Sequence, residues 1–379
     1  MIYLDNAAST KIDESVLQKM LPLLKEMYGN PSSLHKIGRN AQDILSESRK
    51  IIADSINGEE NEIFFTSCGS ESNNLILLGV SNSSQKRKHI ITTQIEHPSV
   101  LNVCKYLEKR GVEITYLAVN PLGYISIEEL EDSITEHTIL ISIMFANNEI
   151  GTIQQIKSIA AVAHKNNILF HTDAIQAIGH TEIDVNDIGV DLLSASAHKF
   201  NGPKGAAFAF IREGVLLEKL LHGGKQEKGM RAGTENVVSI YGMAIALSNN
   251  IITLNENKEH VKLLMLDTIR NVENLDFGIK INGDVLNGLP GLLSLTIPQI
   301  ESEVITAYMD SLDICISSGS ACSNLTNSYS HVLHAIGLSD AEIKSTIRIS
   351  FGKNNNASDV TSLIRAFQEL KDVTRNNFE

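Results

Sequence analysis

Seven short apolar runs separated by helical stretches constrain this chain more than any other feature. The runs lie at residues 62–66, 89–93, 113–117, 138–145, 168–173, 191–197 and 205–211. Segments with helical spacing interleave with them at 71–80, 99–110 and 156–166. Short apolar runs of this kind suit strands buried on both faces, and their alternation with helices predicts a mostly parallel sheet in an α/β domain. Ahead of the first run, residues 13–28 carry Val16, Leu17, Met20, Leu21 and Leu24 as one helical stripe in spite of Pro22. Residues 39–57 repeat the stripe, and Gly58 follows in the position of a C-terminal cap. After a long helical stretch around 236–274 the texture changes, with strands at 279–297, 313–317 and 346–351 and helices near 302–311, 330–336 and 357–371. The expected organisation is a large domain over 13–257 and a smaller α+β domain formed by 1–12 and 258–379, with the boundary near 255–262. The first dozen residues are too apolar for a loose tail and are expected to dock on the smaller domain.

Composition narrows the function classes. The chain has 379 residues, 42% of them hydrophobic, which is material for two cored domains. Its formal net charge of −13 suits a polyanion poorly, so no nucleic-acid partner is expected. No apolar stretch reaches the roughly 18 residues of a membrane span, and Met1–Asp5 lacks the basic and apolar regions of a signal peptide. Four cysteines, at 68, 104, 315 and 322, form no C-x-x-C and no disulfide framework. His331 and His334 are spaced like ligands but have no acidic or thiolate neighbours, so no metal is expected. The expected location is a reducing compartment, the cytoplasm.

Five places carry chemistry. Phe65–Glu71 leaves a strand and enters a helix through small residues, which makes an anion site or an ordinary capped turn. Asp173 ends an apolar strand, with Gln176 three residues on. A carboxylate there either caps a helix or pairs with a pyridinium nitrogen, as a pyridoxal phosphate ring requires. Lys199 arrives at the next strand end among small residues, where it is either solvated or desolvated enough for Schiff-base chemistry. His97 follows a strand and precedes Pro98, as a structural ring or a ring that stacks and moves protons. Cys322 lies in the small, polar stretch Ser317–Ser323 and reads as an accessible thiol nucleophile, whereas Cys68 and Cys104 read as packing residues.

In combination and in order, these segments resemble the cysteine desulfurases, pyridoxal-phosphate enzymes of the class V aminotransferase group. The resemblance runs from Tyr3–Ala8 through Gly29–Ser33, Phe65–Ser67, Glu96-His97, Asn147–Gly151 and His171–Ala174 to His198-Lys199. It ends with Gly229–Asn236, Ser317–Cys322 and Ile347-Arg348, so it covers nearly the whole chain. It implies a fold-type I transferase whose large domain has a mostly parallel mixed sheet. By resemblance, Lys199 is the Schiff-base lysine, Asp173 the partner of the ring nitrogen, Gln176 the partner of the phenolic oxygen and His97 the stacking ring. Gly69, Ser70, Ser196 and His198 hold the phosphate, and Thr234 reaches it from a second subunit, which implies a homodimer. Asn148 and Arg348 clamp the substrate carboxylate, and Cys322 takes the sulfur.

The implied reaction turns L-cysteine into alanine and leaves a persulfide on Cys322. Three departures stand out. Cys68 occupies a position where the family often has Gly, Ser70 replaces Thr, and Ser9 and Lys11 alter the N-terminal motif. The long segment Ser323–Tyr329 resembles the branch that hands sulfur to iron–sulfur scaffolds and tRNA-thiolation proteins. A selenocysteine lyase or aminotransferase on the same cofactor is an alternative, as is a catalytically silent platform for sulfur carriers.

Overall fold

The computed structural model describes residues 1–84, 88–319 and 329–378. The seven apolar runs form one seven-stranded sheet in the order Ile63–Thr66, Ala207–Ile211, Leu192–Ser196, Leu169–Asp173, Thr138–Ser142, His89–Thr93, Glu113–Leu117. Ala207–Ile211 runs antiparallel to both neighbours, and the ladders from Leu192–Ser196 out to Glu113–Leu117 are parallel. Central strands are apolar on both sides because both faces are covered. On one face, Lys36–Ser55 packs with Val237–Ile252, and Leu45, Ile52, Met243 and Leu247 share a core with Phe170 and Phe208. On the other, Leu75, Ile76 and Val80 from Gly69–Ser83 meet Val100 and Val103 from Pro98–Glu108.

A second, four-stranded antiparallel sheet has the order Ser317–Ser318, Thr346–Ser350, Leu292–Thr296, Lys280–Asn282. It has its own core, with Leu293, Leu295, Ile347 and Ile349 packed against Leu363 and Phe367 of the last helix. Ile2–Tyr3 pairs in parallel with Ile314–Cys315, and Leu4 is buried in this second core.

The helical stretch around 236–274 is two helices, Val237–Ile252 and Leu254–Glu273, bent by 73° at Thr253. No single helix among the described residues is long and apolar enough to cross a membrane. Two short helices escaped the sequence reading, Ile127–Asp132 and Asp340–Lys344. The second begins with a capping box, Ser339 with Glu342, a legible signal before a helix too short to show periodicity.

Candidate active site

Parallel strands deliver their following residues to one edge of a sheet, and ligands of open α/β folds bind outside that carboxyl edge. Here the edge opens into a cavity of about 700 Å³. Asp173 ends one strand, and Ser196 with His198 and Lys199 follows the next. His97 comes just after His89–Thr93, and Asn148 and Glu149 come after Thr138–Ser142. All of these residues line the cavity, together with Gly69, Ser70, Gln176 and Arg348.

Lys199 closes a single helical turn, Ala197–Lys199. Gly202 holds that turn in place, since a Cβ there would stand 2.8 Å from Ala197 Cβ and 2.9 Å from its carbonyl oxygen. The lysine Nζ donates to Ala7 O at 2.6 Å and Ala8 O at 3.0 Å, so the N-terminal segment forms part of the floor. Gln176 Nε2 donates to Ala7 O at 2.9 Å. Asp173 is buried and accepts from Asn73 Nδ2 at 2.7 Å and from the Ile175 N–H at 3.0 Å.

His97 caps the helix Pro98–Glu108 by accepting the Ser99 N–H on Nδ1 at 3.1 Å. Burial holds its pKa below the usual histidine value; Asp173 opposes this, and Lys199 and His331 add to it.

The phosphate end shows what it is built to take. Gly69 and Ser70 begin the helix Gly69–Ser83, where free N–H groups favour an anion. Ser196 Oγ is buried there without a hydrogen-bond partner among the described residues. Gly69 leaves the cradle open, because a Cβ would come 2.1 Å from Ile175 Cδ1. His198, whose Nδ1 lies 3.3 Å from Ser9 Oγ, is pushed down to about 4, first by burial and then by Lys199 and Lys204. An orphaned hydroxyl, a helix start and a glycine cradle fit the phosphate of pyridoxal phosphate. Asp173 fits its ring nitrogen and Lys199 its carbonyl carbon.

At the opposite end Arg348 is buried on the strand Thr346–Ser350. Its Nη1 donates to Asn148 O at 2.9 Å and its Nη2 to Asp5 Oδ1 at 2.8 Å, while Nε has no partner among the described residues. A guanidinium that lines the cavity and keeps an unpartnered N–H suits a carboxylate. Asn148 is half-buried beside it and meets Arg348 through its main chain.

Cys322 lies outside the described residues. Its described flanks are both at the cavity. Ser317 pairs with Arg348 across the sheet, and Tyr329, Ser330 and His331 line the opening. Ser330 Oγ donates to Glu149 Oε2 at 2.5 Å, and His331 Nε2 donates to Glu96 O at 2.9 Å. Thr234 is exposed and does not line the cavity.

Several site residues went unassigned from sequence: Asp5, Asn73, Ser99, Glu149 and His331. Asp5 and Glu149 stand inside segments that carried the resemblance, so position in a motif was their available signal. Cys68 corrects an expectation. It is exposed at the start of Gly69–Ser83 and lines the cavity, because a residue preceding a helix at a sheet edge has no core to enter. Cys104 is buried, with burial pushing its thiol up to about 12.

Residues 2–363 match the model of the class-V aminotransferases. A cysteine desulfurase IscS from Methanosarcina thermophila is 43% identical over 381 residues, covering 99% of this chain and 93% of its own. A solved NifS-like protein is 36% identical with a TM-score of 0.93, covering 98% of this chain and 99% of its own. SspA, solved in complex with cysteine, is 36% identical with a TM-score of 0.82 over 94% of this chain and 100% of its own. Likeness of this extent, over both larger sheets and every segment that reaches the cavity, decides the matter: the chain belongs to the class-V aminotransferase family, among its cysteine desulfurases.

Proposed function

We propose that this chain is a pyridoxal-phosphate-dependent L-cysteine desulfurase that forms a persulfide on Cys322 and passes the sulfur to an acceptor protein. The observation that carries the reading is one cavity where Lys199, Asp173, a phosphate cradle and the Arg348 guanidinium converge beside both flanks of the Cys322 segment. When bound, pyridoxal phosphate supplies an electron sink for the substrate's Cα. Lys199 would hold its carbonyl carbon, Asp173 would keep its ring nitrogen protonated and Gln176 would face its phenolic oxygen. Gly69, Ser70, Ser196 and His198 would hold its phosphate.

Arg348, with Asn148 beside it, orients the substrate through its carboxylate. Lys199 Nζ is placed to take the Cα proton and return it. The Cys322 thiolate forms a bond to the substrate sulfur as the Cβ–S bond breaks. Alanine keeps every hydrogen of the cysteine, one sulfur atom moves to the enzyme, and no external oxidant or reductant is needed. A covalent carrier divides one difficult transfer into two easier ones.

Thr234, exposed and away from its own cavity, fits a role at the phosphate of a second subunit in a homodimer. An iron–sulfur scaffold or a tRNA-thiolation protein fits as the acceptor, in a reducing compartment such as the cytoplasm. Incubating the holoenzyme with L-cysteine and a thiol reductant tests the reaction. Alanine and sulfide in equal amounts are expected, whereas a keto acid as main product would identify an aminotransferase instead.

A further inference from the structure

Beneath the cavity floor lies a layer of polar groups with no part in the steps above. Asn73 is fully buried in the helix Gly69–Ser83. Its Nδ2 is 2.7 Å from Asp173 Oδ2 and 2.8 Å from Ser99 Oγ. Ser99 Oγ is in turn 2.8 Å from His97 Nδ1. The Ser99 main-chain N–H points at the same nitrogen, at 3.1 Å.

Donor and acceptor roles close in one way. A main-chain N–H can only donate, so His97 Nδ1 holds a lone pair and the ring proton sits on Nε2. Ser99 Oγ, close to that lone pair, donates its proton to it and accepts the Asn73 amide proton. The other Asn73 amide proton goes to Asp173. Turning the amide over would set its oxygen against the Asp173 carboxylate, acceptor against acceptor at 2.7 Å.

We propose that Asn73 and Ser99 are positioning residues that tie Asp173 to His97 and hold the His97 ring as a neutral Nε2–H donor. His97 then meets the substrate as a hydrogen-bond donor. It accepts a proton only at Nδ1, where two donors oppose it unless Ser99 turns its hydroxyl away. The charged and titratable groups facing the ring are Asp173 at the sheet edge, Lys199 after the next strand and His331 from the opening. Asp173 favours an imidazolium and the other two disfavour it. The Asn73–Ser99 bridge works with the latter pair and prevents Asp173 from drawing a proton onto the ring.

The inference rests on the desulfurase reading for what Nε2–H would face, but the state of the ring is measurable without substrate. Diethyl pyrocarbonate reacts with neutral imidazole, so the rate of His97 modification against pH, mapped by mass spectrometry on the cofactor-free full chain, reports its protonation. Ser99→Ala removes one donor onto Nδ1, and the midpoint is expected to rise by roughly half to one pH unit, the worth of one neutral hydrogen bond. Ser99→Thr restores the hydroxyl and is expected to titrate as wild type. Asn73→Ala frees the Ser99 hydroxyl and is expected to move the midpoint the same way. In the holoenzyme the acid limb of kcat/KM is expected to shift with Ser99→Ala and return with Ser99→Thr. A Ser99→Ala midpoint that stays or falls, or a Ser99→Thr midpoint that follows Ser99→Ala, would overturn the proposal. An unmoved Asn73→Ala midpoint would remove Asn73 from it. Failure of alanine formation would be a separate result, bearing on the reaction and not on the ring.

Discussion

Replacing Glu149 by Gln is expected to stabilise the folded chain at pH 8 and to have little such effect at pH 5. The carboxyl is enclosed between the cavity and Ser330, which donates to it at 2.5 Å. Burial raises its pKa from 4.5 to about 7, against the opposing pull of the Ser330 hydrogen bond and Arg348. Between those two values the folded chain keeps a proton that the unfolded chain has released. Stability therefore falls as pH rises through this window, and the loss is complete above the folded value. The interval of about 2.5 pH units corresponds to roughly 3 kcal/mol. Glutamine keeps an acceptor for Ser330 and has no proton to lose. The advantage of Gln over Glu should thus grow from under about 1 kcal/mol at pH 5 to roughly 3 kcal/mol at pH 8. Glu96, which burial pushes up to about 8, is present in both proteins and cancels in the difference. Urea denaturation of both proteins at half-unit steps from pH 5 to 8 measures it. A difference that does not change with pH, or one that shrinks as pH rises, would refute the reasoning.

Three further outcomes follow from the cavity. Gly69→Ala places a methyl 2.1 Å from Ile175 Cδ1, and Ile175 sits between Asp173 and Gln176. With overpacking costing roughly 1–3 kcal/mol, pyridoxal phosphate should bind roughly ten- to a hundredfold more weakly in a spectroscopic titration, and unchanged affinity would show that the cradle is not tight. Borohydride reduction of the holoenzyme followed by peptide mapping should find the pyridoxyl group on Lys199; finding it on Lys204 or Lys225 would move the attachment site. Light scattering should give twice the chain mass for the active protein, and a fully active monomer would exclude Thr234 from a partner's phosphate site.

The large sheet was legible because central strands covered on both faces leave uninterrupted apolar runs. Leu192–Ser196 and Ala207–Ile211 lie within their expected segments, and Thr138–Ser142 ends three residues before the apolar text does. Ile143 and Phe145 are apolar because they enter the large core, and Met144 because it is buried beside the cavity, not because they extend a strand. Asp173, Lys199 and His97 were legible as candidates because each follows a strand end, where a parallel sheet presents side chains to a ligand. The Asn73–Ser99 bridge was not. Asn73 meets Ser99 across 26 positions and Asp173 across 100, and a buried Asn in a helix reads as an ordinary polar residue until its partners are located. Glu149 was hidden for a similar reason, since its partner Ser330 lies 181 positions away.

The central claim is that sulfur leaves the substrate onto Cys322. Persulfide mapping by mass spectrometry after a single cysteine turnover tests it most directly, with alanine counted in the same sample and Cys322→Ser run alongside. One alanine per bound sulfur, an added 32 Da (roughly one sulfur atom) on the Cys322 peptide alone, and no persulfide in a Cys322→Ser enzyme that still binds pyridoxal phosphate are the expected results. Sulfur found on Cys68, which lines the cavity, or wild-type turnover by Cys322→Ser would contradict the account.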